Sequence, residues 1–167
     1  DTLRSTHRGP LRRVGERWIS QRWTVLEGEV REPAVFHQAG RARTARELLD
    51  HMASEYLAPA QNMLAADREG TIGIRSTGWY PIRPAEGQGS RLRDGTTRGS
   101  DWTGRWAVEE YPQAFAPEQG FLASANQQPM DPAEEPRYMG ANWERPWRAI
   151  RINTLLRTNT MATAEDM

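Results

Sequence analysis

The chain contains no cysteine and no lysine. The absence of cysteine excludes disulfides, thiolate metal ligands and a cysteine nucleophile. All 22 basic residues are therefore arginines, and 22 acidic residues balance them to a formal net charge of zero. Binding to nucleic acid or to an anionic membrane surface requires an excess of positive charge, so the composition favours neither of them as a partner.

Aliphatic residues and long apolar runs are also scarce. No run approaches the roughly 20 apolar residues of a membrane span, and no signal peptide is visible in the opening stretch DTLRSTHRGP. Leu, Ile, Val and Phe make up 25 of the 167 residues, which is below the roughly 20% expected of an autonomous core. Seven tryptophans supply large apolar surfaces instead. We therefore expect residues 1–167 to be a single segment of a larger body, with elements that pack against further chain.

The first two thirds of the chain predict short strands, one clear helix and a hairpin. Residues 1–40 are interpreted as short strands and turns. Residues 43–64 predict a helix, because Thr44 and Glu47 have the spacing of a capping box and an apolar stripe follows at helical spacing, formed by Leu48, Leu49, Met52 and Tyr56. Pro59 is expected to break or kink this helix. Residues 65–83 predict a hairpin around the turn DREG.

The remainder predicts a loop, a strand and a final helix. Residues 84–104 are rich in Gly, Ser, Arg and Asp, which is typical of a long surface loop. A short buried strand is predicted to begin at Phe121. The final helix is predicted to begin near Pro146, with its apolar residues directed toward the interior, namely Trp147, Ile150, Leu155 and Leu156.

The stretch FLASANQQP, residues 121–129, places a carboxamide cluster where the predicted strand ends. A carboxamide NH2 group donates two hydrogen bonds, carries no net charge and does not titrate near neutral pH. Amide hydrolysis requires rigid donors of this kind, directed at the oxygen that becomes negatively charged in the tetrahedral intermediate. From the residues alone, Asn126 is either such a donor or a residue that bonds the backbone of the turn.

Five stretches in order and at matching spacing resemble a known family. They are STHRGPL, PAQNMLAADREGTIGIRSTGWYPIR, DWTGRW, GFLASANQQP and YMGANWERPWRAIRINTLL. Together they resemble the beta subunit of the penicillin acylase family, whose members are N-terminal-nucleophile amidohydrolases. The resemblance implies an α+β fold, part of an αββα Ntn-hydrolase sandwich of antiparallel strands with flanking helices. It also implies that the chain is an internal segment of that subunit, and that the intact enzyme cleaves an acyl-amide bond.

The resemblance assigns two catalytic residues. Asn126 matches the family's oxyanion-hole asparagine, and Arg148, 22 positions later, matches an arginine that orients the site. The alternative for Arg148 is an ordinary surface arginine paired with Glu144 or Asp131. The family nucleophile is an N-terminal serine whose own amino group acts as the base, and Asp1 does not replace it. The segment alone is therefore expected to be inactive.

Aromatic residues provide candidates for substrate binding and also a competing function. Trp79, Tyr80 and Trp102 either line an acyl pocket or fill the core. In the competing interpretation the chain is a non-catalytic module that binds carbohydrate or peptide on a stacking surface, formed by Trp79, Trp102, Trp106 and Trp143. A purely structural interaction domain is the third alternative.

No metal site is predicted in this chain. His37 and His51 lack metal-ligand spacing, and His7 is interpreted as a structural residue of its turn. The acidic residues considered for calcium do not have the spacing of an EF-hand loop; they are Asp101, Asp131, Glu134 and Glu135. We therefore predict no cofactor within the segment, while the resemblance allows calcium in the longer enzyme. It also implies a small N-acyl substrate, the alpha subunit and the rest of the beta subunit as partners, and a periplasmic or secreted bacterial location.

Overall fold

The computed structural model of the chain describes residues 2–29, 31–84, 89, 91–159, 161 and 163. Within these residues it has three helices: α1, Glu32–Ala39; α2, Ala45–Glu55; and α3, Trp147–Thr158. Its strands are β1, Ser5–Thr6; β2, Gly9–Val14; β3, Arg17–Ser20; β4, Gln61–Ala66; β5, Ile72–Thr77; β6, Pro81–Ile82; β7, Gly104–Arg105; and β8, Gln113–Phe115. All of the strand pairs are antiparallel, and the order within the sheets is β1-β2-β3, β4-β5-β8 and β6-β7.

The first 40 residues contain a helix as well as the predicted strands. The strands β1 to β3 form a meander, as expected, but the prediction of strands and turns alone was wrong for the stretch that forms α1. Pro33 lies in the first turn of α1, where its fixed φ favours a helix start and its missing N–H costs nothing. Val35 and Ala39, four residues apart, are buried on one face of the helix.

Helix α2 begins where the sequence predicts and ends nine residues early, at Glu55 instead of residue 64. The Thr44 hydroxyl accepts a hydrogen bond from the N–H of Glu47 at 3.1 Å. The carboxylate of Glu47 accepts in turn from the N–H of Arg43, one residue before the expected cap. The predicted apolar stripe is buried or half-buried. The chain after Glu55 instead forms β4, because it pairs along six residues with β5.

The predicted hairpin is present, with its first strand starting at Gln61. The Asp67 side chain holds the turn, because its two oxygens accept from the N–H groups of Thr71 at 2.8 Å and Ala45 at 3.0 Å. The second of these bonds joins the turn to the start of α2. These hydrogen bonds, with that from Ala45 first, keep the pKa of Asp67 below its ordinary value.

The helix α2 packs directly on the sheet β4-β5-β8. A Cβ atom at Gly73 would lie 2.7 Å from both the Leu49 side chain and the Phe115 ring. Glycine at this position therefore allows the helix to approach the strand closely. Two apolar clusters result: one between α1 and α2, formed by Val35, Ala39, Met52 and Tyr56, and one beyond α2, formed by Ala53, Tyr80, Trp106 and Tyr111.

The long polar stretch 84–104 is held to the first sheet along its described part. Residues 85–88 and 90 of this predicted loop lie outside the described residues. The Arg8 guanidinium donates to the carbonyls of Gly95 at 2.7 Å and Thr97 at 2.5 Å. It also donates to the Asp101 carboxylate at 2.6 Å. One arginine in the turn between β1 and β2 thus bonds three residues of this segment.

Helix α3 is present as predicted, but its expected direction was wrong. None of its residues is buried within the described structure. Trp147 is 68% exposed, Ile150 and Leu155 are also exposed, and Leu156 is half-buried. No other helix or strand of the described chain packs extensively on α3. Across the described residues, no helix is both long and apolar enough to cross a membrane.

Candidate functional site

The segment that carries Asn126 is an ordered loop, so the prediction of a strand at Phe121 was wrong. Within the described residues the sheet has the order β4-β5-β8, and this segment pairs with none of its three strands. Ala125 is buried, and its N–H donates to Oε1 of Gln127 at 2.7 Å. The polar turn is thus closed by its own carboxamide side chain.

Asn126 has a left-handed backbone conformation, with φ of 63°. Among residues other than glycine, asparagine and aspartate adopt this region most readily. The backbone carbonyl of Asn126 accepts from the N–H of Glu144 at 3.0 Å, which ties the loop to the segment leading into α3. The conformation and this bond together direct the Asn126 side chain toward the start of that helix.

The two residues assigned to catalysis by the resemblance are in contact. The Arg148 guanidinium donates to Oδ1 of Asn126 at 3.2 Å. Because a guanidinium has only donors, it fixes which end of the carboxamide faces it. The Nδ2 group therefore points away from Arg148, and no other hydrogen bond in the described chain engages it.

Arg148 lies in the first turn of α3 and is exposed. The alternative partners considered for it, Glu144 and Asp131, form no ion pair with it among the described residues. Asp131 instead accepts from the N–H of Ala133 at 2.8 Å. Asn126 is exposed as well, so the described residues present this pair on an open surface.

The three aromatic candidates for substrate binding divide into two groups. Tyr80 is buried, with its ring centroid 4.7 Å from that of Tyr111 and 5.7 Å from that of Trp106. Burial raises the pKa of Tyr80 to about 12. Trp79 and Trp102 are half-buried and lie against each other, with ring centroids 5.6 Å apart. The structure therefore brings these two tryptophans together and places Tyr80 in the core.

Two arginines contact the ring of Trp102. The guanidinium carbon of Arg22 lies 4.3 Å from the ring centroid of Trp102, and that of Arg83 lies 5.2 Å from it. Burial of Arg83 lowers the pKa of its guanidinium. Such cation–π contacts stabilise the local packing.

The stacking surface proposed for a binding module is not formed by the predicted tryptophans. Trp106 is buried, and the Arg137 guanidinium lies 3.7 Å from its ring centroid. The tryptophans that are exposed are Trp18, Trp23 and Trp147, which belong to different elements. The set predicted from the sequence therefore shares no open face.

Asp101 connects the long polar stretch to His7 and Arg8 near the N-terminus, and the sequence did not reveal this junction. Its Oδ1 lies 3.0 Å from Nε2 of His7 and 2.6 Å from Nε of Arg8. These partners are more than 90 positions away in the chain, so no local spacing could indicate them. Hydrogen bonds with His7 first and Arg8 second keep the pKa of Asp101 below its ordinary value. His7 thus contacts a side chain of the long polar stretch.

The acidic residues considered for calcium make separate contacts with other groups. Asp101 binds Arg8, and Glu135 pairs with Arg137 at 2.7 Å. Over the residues with a described position, no group of three or more His, Asp or Glu side chains is arranged to hold a metal ion.

Comparisons with known proteins agree with this architecture. The family model described as penicillin amidase matches residues 1–167. Penicillin G acylase of Escherichia coli is 31% identical over 104 residues, covering 62% of this chain and 12% of the acylase. The acyl-homoserine lactone acylase QuiP of Pseudomonas aeruginosa is 33% identical over 120 residues, covering 72% of this chain and 14% of that protein.

A solved structure shares the fold. The thermostable penicillin G acylase from Alcaligenes faecalis superposes with a TM-score of 0.75 and 22% identity, covering 98% of this chain and 29% of that one. The expected α+β class, with antiparallel strands and flanking helices, is confirmed. The chain thus spans only a small share of the length of the relatives it matches. Because the family model matches residues 1–167 of this chain, the chain belongs to the penicillin amidase family.

Proposed function

We propose that this chain is an internal segment of a longer amide hydrolase, to which it contributes the oxyanion-hole donor. The observation that carries the proposal is the contact between Arg148 and Asn126. It couples two residues 22 positions apart that the family resemblance assigns to the same site. It also orients the neutral NH2 group away from the arginine, where a developing negative charge can be placed.

In the proposed reaction, the serine of the longer protein attacks the acyl carbonyl and its own α-amino group takes the proton. The carbonyl oxygen becomes negatively charged, and Nδ2 of Asn126 donates a hydrogen bond to it. The α-ammonium group then gives its proton to the leaving nitrogen, the C–N bond breaks, and the amine departs. Water hydrolyses the acyl-enzyme that remains. Arg148 takes no proton, because its role is to hold Oδ1 of Asn126 and keep the amide in one orientation.

The substrate class proposed is a small N-acyl compound. The two curated relatives are named for penicillin G and for acyl-homoserine lactones, and both of these contain an acyl-amide bond. The partners are the remaining chain or chains of the acylase, which supply the serine and the acyl pocket. Trp79 and Trp102 remain candidates for the edge of that pocket. A periplasmic or secreted location belongs to the same proposal and is checked by cell fractionation.

The test is the turnover of a chromogenic acyl-anilide by the longer protein that contains this chain. We expect Asn126→Ala to lower kcat by about 10²–10³-fold, the usual loss for one oxyanion-hole donor. Gln128→Ala is the matched control, since it removes an exposed carboxamide from the same loop for which the described chain shows no hydrogen bond. Undiminished turnover in Asn126→Ala would refute the donor role.

A further inference from the structure

A chain of polar side chains connects the core of the sheet to the loop of Asn126. Asn62 on β4 lies opposite Ser76 on β5. The Ser76 hydroxyl donates to Oδ1 of Asn62 at 2.7 Å, and Nδ2 of Asn62 donates to the hydroxyl of Ser124 at 3.1 Å. Ser124 is two residues before Asn126. No local pattern indicates this connection, because Asn62 and Ser124 are 62 positions apart.

The buried end of this network is fixed. Ser76 is 2% exposed, and its hydroxyl donates to Oδ1 of Asn62. A buried hydroxyl that lost its acceptor would pay the cost of desolvation without compensation. Ser76 therefore holds Oδ1 of Asn62, and this contact decides that the NH2 end of the same carboxamide faces Ser124.

The loop end of the network needs such a support. Asn126 has a positive φ, and the described contacts that fix it otherwise come from one side, through Glu144 and Arg148 at the start of α3. The Asn62–Ser124 bond in addition ties the loop to β4 of the sheet. A small cleft beside the loop is lined by residues that include Asn62, Ser124, Ser76 and Gln127.

We propose that Asn62 is a positioning residue for the oxyanion donor: through Ser124 it fixes the loop so that Asn126 meets the reacting carbonyl. The inference rests on the proposed function of Asn126. Asn62 does not contact the substrate. Its effect is on geometry, since a displacement of about 1 Å at a catalytic group can cost up to about 10²-fold in rate.

The test is a double-mutant cycle in the longer protein, with kcat and KM measured on the same acyl-anilide. Asn62→Ala is expected to lower kcat by about tenfold, with KM changed less than about threefold, because the loss occurs in the transition state. In an Asn126→Ala background, Asn62→Ala is expected to change kcat by less than about twofold, because no donor remains to be positioned. A general loss of stability would not produce this non-additivity.

Two further variants keep the test independent of the folding of Asn62→Ala. Ser124→Ala removes the acceptor on the loop and is expected to reproduce the kcat loss, whereas Ser124→Thr retains a hydroxyl and is expected to restore most of it. Gln61→Ala, a carboxamide removed from the neighbouring exposed position of β4, is the matched control and is expected to leave kcat unchanged.

The outcomes separate the two proposals. If Asn126→Ala retains wild-type kcat, the proposed function of Asn126 fails, and the positioning role fails with it. If Asn126→Ala is impaired but Ser124→Ala and Asn62→Ala are not, the positioning role alone is refuted. If the losses in transition-state free energy from Asn62→Ala and Asn126→Ala are additive, the positioning role is refuted as well.

Discussion

At the scale of single residues, the site depends on how one carboxamide is oriented. Asn126 offers an oxygen and an NH2 group, and only the NH2 group can stabilise an oxyanion. Arg148 selects the orientation because its guanidinium can only donate, and it donates to Oδ1. An arginine is therefore more than a positive charge at this position, since its planar fork also fixes direction.

Replacement of Arg148 tests this orienting role. We expect Arg148→Ala to lower kcat by about 10–100-fold through misorientation of Asn126, and Arg148→Lys to recover only part of the loss, since an ammonium lacks the planar fork. Arg151→Ala is the control, because it removes a guanidinium from the same helix one turn away. Equal kcat for the wild type and Arg148→Ala would contradict the role.

The pH dependence of the Asp101 junction is a second prediction at this scale. The pKa of Asp101 in the folded chain is lowered by His7 and Arg8, so its carboxylate stabilises the fold above the ordinary pKa of about 3.9. This contribution is lost as the pH falls from about 4 through the lower folded-state pKa.

The measurement is the unfolding temperature of the wild type and of Asp101→Asn between pH 7 and pH 2.5. We expect Asp101→Asn to be less stable at neutral pH and the difference to shrink in acid. The exposed acid Glu16, which forms no ion pair within the described chain, provides the control Glu16→Gln. A difference that stays constant over the whole pH range would exclude a titrating Asp101 as its cause.

At the scale of elements, local chemistry predicted where structure begins better than where it ends. The start of α2 followed from Thr44 and Glu47, because a cap is a contact between near neighbours. Its end followed only in part: Pro59 predicted a break or kink, but the helix already ends at Glu55, and the pairing of Gln61–Ala66 with β5 depends on a distant segment. The segment at Phe121, expected to be a strand, is a loop that contacts β4 through a side-chain hydrogen bond from Asn62 to Ser124.

The cap of α2 gives a prediction about stability. Thr44→Ala removes the acceptor for the N–H of Glu47 and is expected to lower the free energy of unfolding by about 1 kcal/mol. Ser54→Ala is the control: it lies within the same helix, where alanine is the better helix former, and is expected to be neutral or slightly stabilising. Chemical denaturation of the two variants compares them. Equal stability of Thr44→Ala and the wild type would show that the cap contributes nothing.

The candidate site shows the same division between local and distant information. The positions of Asn126 and Arg148 were predictable from family spacing, and the structure brings the two side chains together. The left-handed backbone of Asn126 and the supports from Glu144 and Asn62 were not predictable. They depend on contacts between segments that are distant in the sequence, and no pattern within either segment encodes them.

At the scale of the whole molecule, the chain exposes apolar surface that further chain is expected to cover. The apolar residues Trp147, Ile150 and Leu155 of α3 are exposed, and the scarcity of aliphatic residues agrees with a core that is shared with further chain. The relatives that match are several times longer than this segment. The helix that carries Arg148 is thus expected to be covered on its apolar face in the longer protein, which would enclose the site and strengthen its hydrogen bonds.

The position of Nδ2 of Asn126 in a trapped complex tests the oxyanion role most directly. The measurement is a crystal structure of the longer protein with a phosphonate bound to its nucleophile as a mimic of the tetrahedral intermediate. We predict Nδ2 within about 2.7–3.1 Å of the oxygen that represents the oxyanion, with Arg148 still donating to Oδ1. An Nδ2 group directed elsewhere, with that oxygen held by other donors alone, would contradict the proposed role of this segment.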